Sequence, residues 1–173
     1  MMRKLATLFA TLAVLTSPAA VLADGPVVLW PDSDPEMAAA FQNANDTLDL
    51  FLDNTLDRRG IAADYNTLKV AFAVNAPDMA VELIWVSQIH QISDSNYEGR
   101  LDNYPQHITG KHYQSRVTFT RGQIRDWGHL SFDGKLYGHY TTRLLLPSMP
   151  REKALEVLQI LSKDPIPANW KTP

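Results

Sequence analysis

His129-Leu130-Ser131-Phe132-Asp133-Gly134-Lys135-Leu136-Tyr137-Gly138-His139-Tyr140-Thr141-Thr142-Arg143 decides the fold. Asp133-Gly134 is a preferred two-residue type I′ turn, and residues of strand character flank it on both sides. This turn predicts a register in which Phe132 faces Lys135, Leu130 faces Tyr137 and Gly128 faces His139. Continuing the ladder puts Trp127 opposite Tyr140 and Asp126 opposite Thr141. Alternation then places Trp127, Tyr140, Thr142 and Leu144 on one face of a sheet. Asp126, Tyr137, His139, Thr141 and Arg143 share the other.

Upstream of the hairpin lie further strand patterns. Leu68 to Val74 and Val81 to Ile89 are rich in β-branched and apolar residues, with a turn at Ala76-Pro77-Asp78 between them. Shorter strands are expected at Tyr97 to Leu101 and Arg116 to Phe119, separated by the polar loop Asp102 to Lys111. Helices brace both ends. Ser33-Asp34-Pro35-Glu36 has the cap, the first-turn proline and the acidic third position of a helix start. From there Met37, Ala40, Phe41, Ala44, Leu48, Phe51 and Leu52 recur at steps of three and four, predicting an amphipathic helix to about Leu56 that stops at Gly60. Pro147 closes the sheet, and a last helix runs from Pro150 to Lys163 before Asp164-Pro165-Ile166-Pro167. The order is helix, five or six strands, helix. Without βαβ alternation this is an α+β domain built on a strongly bent antiparallel sheet.

The first 23 residues read as an address rather than as fold. Arg3 and Lys4 precede an apolar run of 11 residues, Leu5 to Leu15, and Val21-Leu22-Ala23 offers small residues at the expected cleavage positions. A membrane span needs about 20 apolar residues, so a secretory signal peptide at 1–23 is the better reading than an anchor. The rest divides into a lead-in at 24–33, a domain at 34–147, a terminal helix at 148–163 and a tail at 164–173. Removal of the leader gives a periplasmic or secreted chain with no stable membrane insertion.

Composition narrows the function further. The chain has 173 residues, 16 basic and 19 acidic side chains, a net charge of −3 and no Cys. One domain of this size buries enough surface to fold without a metal or disulfide. The absence of Cys excludes disulfides, zinc–thiolate sites, iron–sulfur clusters and Cys nucleophiles. A mildly acidic chain is unsuited to nucleic acid, which basic domains bind.

Several of these segments together are similar to a known bacterial family. They are Asp34-Pro35-Glu36-Met37, Leu68-Lys69-Val70, Glu82-Leu83-Ile84-Trp85-Val86, Gly99-Arg100-Leu101-Asp102-Asn103-Tyr104-Pro105, Ile124-Arg125-Asp126-Trp127 and Gly134 to Arg143. From about Glu36 to Leu146 the chain resembles the domain of unknown function 2314, also described as YegJ-like. The resemblance implies a terminal helix and a variable segment at Gly60 to Asn66. It implies no activity, cofactor or site residue.

The residues themselves offer a few candidates. Asp126 and Arg143 fall diagonally across the predicted hairpin, close enough for an Arg–carboxylate fork. Such a pair grips a small anionic ligand, or it pins the hairpin as a structural salt bridge, which is the favoured reading. Trp127 and Tyr140 would form an aromatic platform for a cell-wall fragment or a protein, or pack as core. Asn103 sits in the loop Asp102 to Lys111 with Tyr104, His107 and Lys111, and loops carry function more often than strands do.

No nucleophile, phosphate-loop or zinc-binding motif is present, so no catalytic residue, metal ligand or cofactor is assigned. The expected function is therefore non-enzymatic binding of an unknown protein, a cell-wall fragment or a small anionic ligand. Two alternatives stay open. One is a periplasmic hydrolase using Asp126 with His129 or His139, and the other is an inhibitor or immunity-like protein.

Overall fold

The computed structural model describes residues 34–77 and 79–170. The signal peptide and lead-in expected at 1–33, and the last three residues of the tail, lie outside the described residues.

Asp34 caps the first helix, its Oδ1 accepting from the backbone N–H of Glu36 at 2.9 Å and Met37 at 3.0 Å. Helix α1, Pro35–Asp46, buries Met37, Ala40 and Ala44. Helix α2, Leu48–Thr55, follows at once and buries Leu48, Phe51 and Leu52. The helical stretch expected to run unbroken to Leu56 is thus interrupted at Thr47. The Thr47 hydroxyl accounts for the break: it bonds back to Asn43 O at 3.0 Å and Ala44 O at 3.2 Å, accepts from Trp127 Nε1 at 3.0 Å and meets Tyr140 Oη at 3.0 Å.

Six strands follow: β1 Asn66–Ala76, β2 Met79–Ser93, β3 Asn96–Leu101, β4 Arg116–Thr120, β5 Ile124–Leu130 and β6 Leu136–Gly138. They form one antiparallel sheet in the order β4-β3-β2-β1-β5-β6. Three residues, Arg121–Gln123, link edge strand β4 to β5. In a flat sheet those strands would stand about 19 Å apart, four spacings of roughly 4.8 Å. Three linking residues reach only about 14 Å even fully extended. The sheet is therefore strongly bent, bringing its edge around until Gln123 Nε2 donates to Ala71 O of β1 at 3.0 Å. Bulges help: the Lys69–Asp126 pair is followed by Val70–Ile124, leaving Arg125 unpaired so that Ile124 and Trp127 both enter the core.

The concave core joins α1 and α2 to the sheet through Ala44, Phe51, Leu68, Val70, Ile84 and Trp127, among others. Phe51 and Trp127 stack with ring centroids 5.1 Å apart, and Trp170 of the tail closes over them at 5.4 Å from Trp127.

The hairpin departs from the expected register by one residue. Gly128 pairs with Gly138, His129 with Tyr137 and Leu130 with Leu136. Ser131 and Lys135 close a three-residue loop, with Ser131 N–H on Lys135 O at 2.8 Å and Gly134 N–H on Ser131 O at 3.0 Å. A type I′ turn needs positive φ at both central residues; here Gly134 has φ +78° and Asp133 does not share it. This is a type I turn with a glycine bulge, which Asp-Gly serves equally well.

A second correction follows from Gly138 and His139, both left-handed at φ +70° and +52°. They turn the chain out of the sheet, so the expected strand through Leu146 is instead helix α3, Tyr140–Leu145. The face-sharing predicted for Trp127 with Thr142 and Leu144, and for Asp126 with Arg143, does not exist. Helix α4, Arg151–Ile160, is shorter than the Pro150 to Lys163 expected.

Both edges of the sheet are covered or blunted. Ser162 N–H donates to Leu136 O at 2.9 Å and Gly138 N–H to Pro165 O at 2.7 Å, so the tail lines β6. On β4, Lys111 Nζ occupies Arg116 O at 2.9 Å and Gln123 Oε1 takes Thr120 N–H at 2.9 Å.

Candidate functional site

Alternation along β1 and β2 turns Leu68, Val70, Ile84 and Val86 into the core, and Lys69 and Trp85 to the opposite face. Lys69 pairs with Trp85 on one side and Asp126 on the other. Asp102 continues the row, its N–H donating to Trp85 O at 2.7 Å. A polar ladder of Asp126, Lys69, Trp85 and Asp102 thus crosses four neighbouring chain segments.

The segment from His139 to Thr142 roofs this ladder. Thr141 Oγ1 accepts from Lys69 Nζ at 2.6 Å and donates to Asp126 Oδ2 at 2.6 Å. The Lys69 ammonium also lies over Trp85, 4.8 Å from the ring centroid. His139 also packs on that ring, with centroids 4.4 Å apart, and its Nδ1 bonds Thr142 Oγ1 at 3.1 Å. All of Asp126, Lys69, His139, Thr141 and Thr142 are buried.

Asp126 is fully saturated. Oδ1 accepts from the N–H groups of Trp127 at 2.8 Å and Tyr140 at 3.1 Å, and Oδ2 takes Thr141 N–H at 2.8 Å as well as the hydroxyl. It acts as a helix cap from another strand, supplying a carboxylate to the first N–H groups of α3, where His139 contributes no side-chain cap.

Burial drives the electrostatics of this cluster. It raises the Asp126 pKa, while Lys69 and the Thr141 hydrogen bonds hold it down. It lowers that of Lys69, with Asp126 opposing. Burial, then the charges of Lys69 and Arg143, keeps His139 well below the ordinary imidazole range. Asp102 is pushed up to about 6, chiefly by burial and against a hydrogen bond from Ser87.

The expected Asp126–Arg143 fork does not form. Arg143 Nε instead donates to Gly138 O at 2.8 Å and Nη1 to Ser162 O at 2.7 Å, while Nη2 is buried without a protein partner. Arg143 thereby ties α3 to the chain leaving α4. Trp127 is fully buried, and Tyr140 meets it edge-on at 5.9 Å rather than across a ladder. Neither forms an open platform. Asn103 lies apart from them, its Oδ1 accepting from Trp85 N–H at 3.0 Å. For a hydrolase, Asp126 would need an imidazole within reach. Its acceptors are spent on Trp127, Tyr140 and Thr141, while His129 Nδ1 bonds Asn66 at 2.8 Å and His139 bonds Thr142.

Sequence reading passed over Lys69 and Glu82. Glu82 is fully buried, and its two oxygens take the N–H groups of Gln106 at 2.7 Å and His107 at 2.9 Å. Each was visible as a charged residue inside an apolar strand. Among the described residues, no three His, Asp or Glu side chains converge to hold a metal ion, and no helix is long and apolar enough to cross a membrane.

Asp126 and Lys69 spend their polar atoms on one another's surroundings inside the fold, and of the ladder's charged groups Asp102 is the one that reaches the surface. Exposed groups stand instead on loop 102–115, where Tyr104 and Tyr113 stack with centroids 5.2 Å apart, and Arg100 and Arg116 face each other across the strands that flank it.

A family model described as "Uncharacterized protein conserved in bacteria (DUF2314)" matches residues 34–160. No curated protein and no solved structure matches the chain.

Proposed function

The chain belongs to DUF2314, a family of uncharacterized proteins conserved in bacteria, and on that footing we propose that it is an exported binding domain rather than an enzyme. One contrast carries this reading. Lys69, Asp126 and His139 are buried and bonded internally, and Asp102 is the one partly exposed group of that row, whereas Tyr104 is 63% exposed on a loop whose flanking strands carry Arg100 and Arg116. Catalytic groups need access to substrate; binding surfaces need exposed aromatic and cationic anchors. Export is supported by Arg3-Lys4, the apolar run to Leu15 and the small residues of Val21-Leu22-Ala23.

The test is a photocrosslinker in place of Tyr104 on the exported chain, with the same group in place of Leu155 on α4 as control. The expected result is a discrete adduct from the cell envelope at position 104 alone. Identical adducts at both positions, or none, would reject the reading.

A second reading, a protein inhibitor, has its own observation. Phe132 is 97% exposed at the tip of the hairpin, with Tyr65 edge-on at 5.5 Å. A projecting apolar side chain on a short rigid loop is the form of an anchor that fills a partner's pocket. Under this reading Phe132→Ala abolishes capture of the partner protein and leaves folding intact.

A further inference from the structure

Arg100 of β3 and Arg116 of β4 lie directly opposite each other. Like charges in that relation destabilise a sheet. Lys111 adds a third cation, its Nζ 2.9 Å from Arg116 O. Glu98 bonds Arg116 at 3.2 Å and shares itself with His90 at 3.3 Å, and Asp102 at the start of the loop meets Gln114 Nε2 at 3.5 Å, so two carboxyls face three cations. This concentration of positive charge stands on a chain whose net charge is −3.

Tyr104 and Tyr113 stack on the same stretch of chain. Arg100 Nη1 donates to Gln114 O at 2.9 Å, which ties the guanidinium to the residue that follows Tyr113 in the chain. The loop is also held rigidly. Glu82 clamps two of its N–H groups, Asn103 Oδ1 takes Trp85 N–H, and Ile108 packs on the core. A platform already ordered loses little freedom on binding. Three cations alone would suit any anion, and two stacked rings alone any apolar surface. Together and exposed they match a ligand with an apolar face and an anionic substituent.

We propose that the base of loop 102–115 is a shallow binding site for an anionic sugar. The C–H face of the sugar ring lies on Tyr104, and its carboxylate or phosphate is held by Arg100, Arg116 and Lys111. Each arginine has donors left after its present bonds, since a guanidinium carries five N–H groups. This names the ligand class of the binding surface proposed above and rests on that reading.

The full chain is titrated with tetragalacturonate, with a hexose 6-phosphate and with neutral maltotetraose, following the amide resonances of Tyr104 and Tyr113. Saturable shifts are expected with at least one anionic sugar and not with maltotetraose, and the responding probe tells carboxylate from phosphate. Joint Arg100→Gln and Arg116→Gln replacement weakens binding at least about tenfold, as does Tyr104→Ala. Leu155→Ala on α4 leaves it unchanged, and circular dichroism confirms that each variant is folded. No saturation with either anionic sugar, equal binding of maltotetraose, or full binding by the double arginine variant overturns the proposal. A protein adduct at position 104 without sugar binding sinks this site and leaves the binding-domain reading standing; loss of both sinks both.

Discussion

Lys69 and Asp126 occupy paired positions on β1 and β5, yet they meet through a third group: Thr141 Oγ1 lies 2.6 Å from Lys69 Nζ and 2.6 Å from Asp126 Oδ2. The hydroxyl uses its acceptor toward the ammonium and its proton toward the carboxylate. Sheet and helix α3 are locked together at one buried point.

Removing the charge of Asp126 should therefore cost more than removing the hydroxyl. Asp126→Asn leaves Lys69 buried without its counter-charge and turns an amide N–H₂ toward backbone donors, for a loss of about 3–5 kcal/mol. Thr141→Val removes one bridging group and should cost about 1–3 kcal/mol. Urea unfolding of both variants measures the order. Equal stabilities would contradict the order, and Asp126→Asn within about 0.5 kcal/mol of wild type, a typical effect of a neutral surface change, would show that the bridge contributes nothing.

Two glycines with the same backbone sign should behave differently. Gly134 has φ +78° with nothing within 4 Å of an added Cβ, so Gly134→Ala should cost only the left-handed penalty, about 1–2 kcal/mol. Gly138 has φ +70°, and its Cβ would stand 2.3 Å from Trp127 O and 2.4 Å from the indole ring. Overpacking adds about 1–3 kcal/mol to the same backbone penalty, so Gly138→Ala should unfold first in a parallel thermal melt.

The particular residues show what the sequence could disclose. Strand positions came from β-branched runs such as Val81 to Ile89, legible because Val81, Ile84 and Val86 each pair with β1, although the run is bulged between Ser87 and His90. Asp126 stood out, but its partner did not. Asp-Gly permits two turns one residue apart, and that single step redirects every side chain beyond it. Thr47 looked like one more helix residue, because its value lies in bonds to Trp127 and Tyr140, far along the chain. Thr141 and Thr142 favour strands intrinsically, yet the left-handed pair at Gly138 and His139 makes a ladder impossible there. Lys69 is a charge inside an apolar strand, but nothing local announces that α3 covers it.

Export is tested by the N-terminus itself. Expressed with its leader in a bacterial host, the chain should be recovered from the periplasm or medium with Asp24 as its first residue, by intact mass and terminal sequencing. Recovery in the cytosol with Met1 retained would contradict both the signal peptide and the envelope setting of the proposed ligand.

Two groups shifted by burial, His139 and Asp102, should act on stability in opposite directions with pH. His139 is depressed in the folded state, by burial first and then by Lys69 and Arg143, so the unfolded chain takes up a proton before the folded one. Stability should fall as pH drops below about 6.5, the unfolded value. Asp102 is raised from 3.8 to about 6, so here the folded chain holds the proton longer. Its contribution is a penalty that appears as pH climbs from 3.8 to about 6 and is complete above that. Solvent at this half-exposed carboxyl screens the penalty to the order of 1 kcal/mol. His139→Asn keeps a side chain that tolerates the left-handed backbone and removes the imidazole, so it should flatten the acid limb below pH 6.5. Asp102→Asn should leave stability at pH 4 unchanged and raise it at pH 7.5. Urea midpoints across that range decide both, and an Asp102→Asn variant less stable at pH 7.5 than at pH 4, relative to wild type, would reverse the assigned sign.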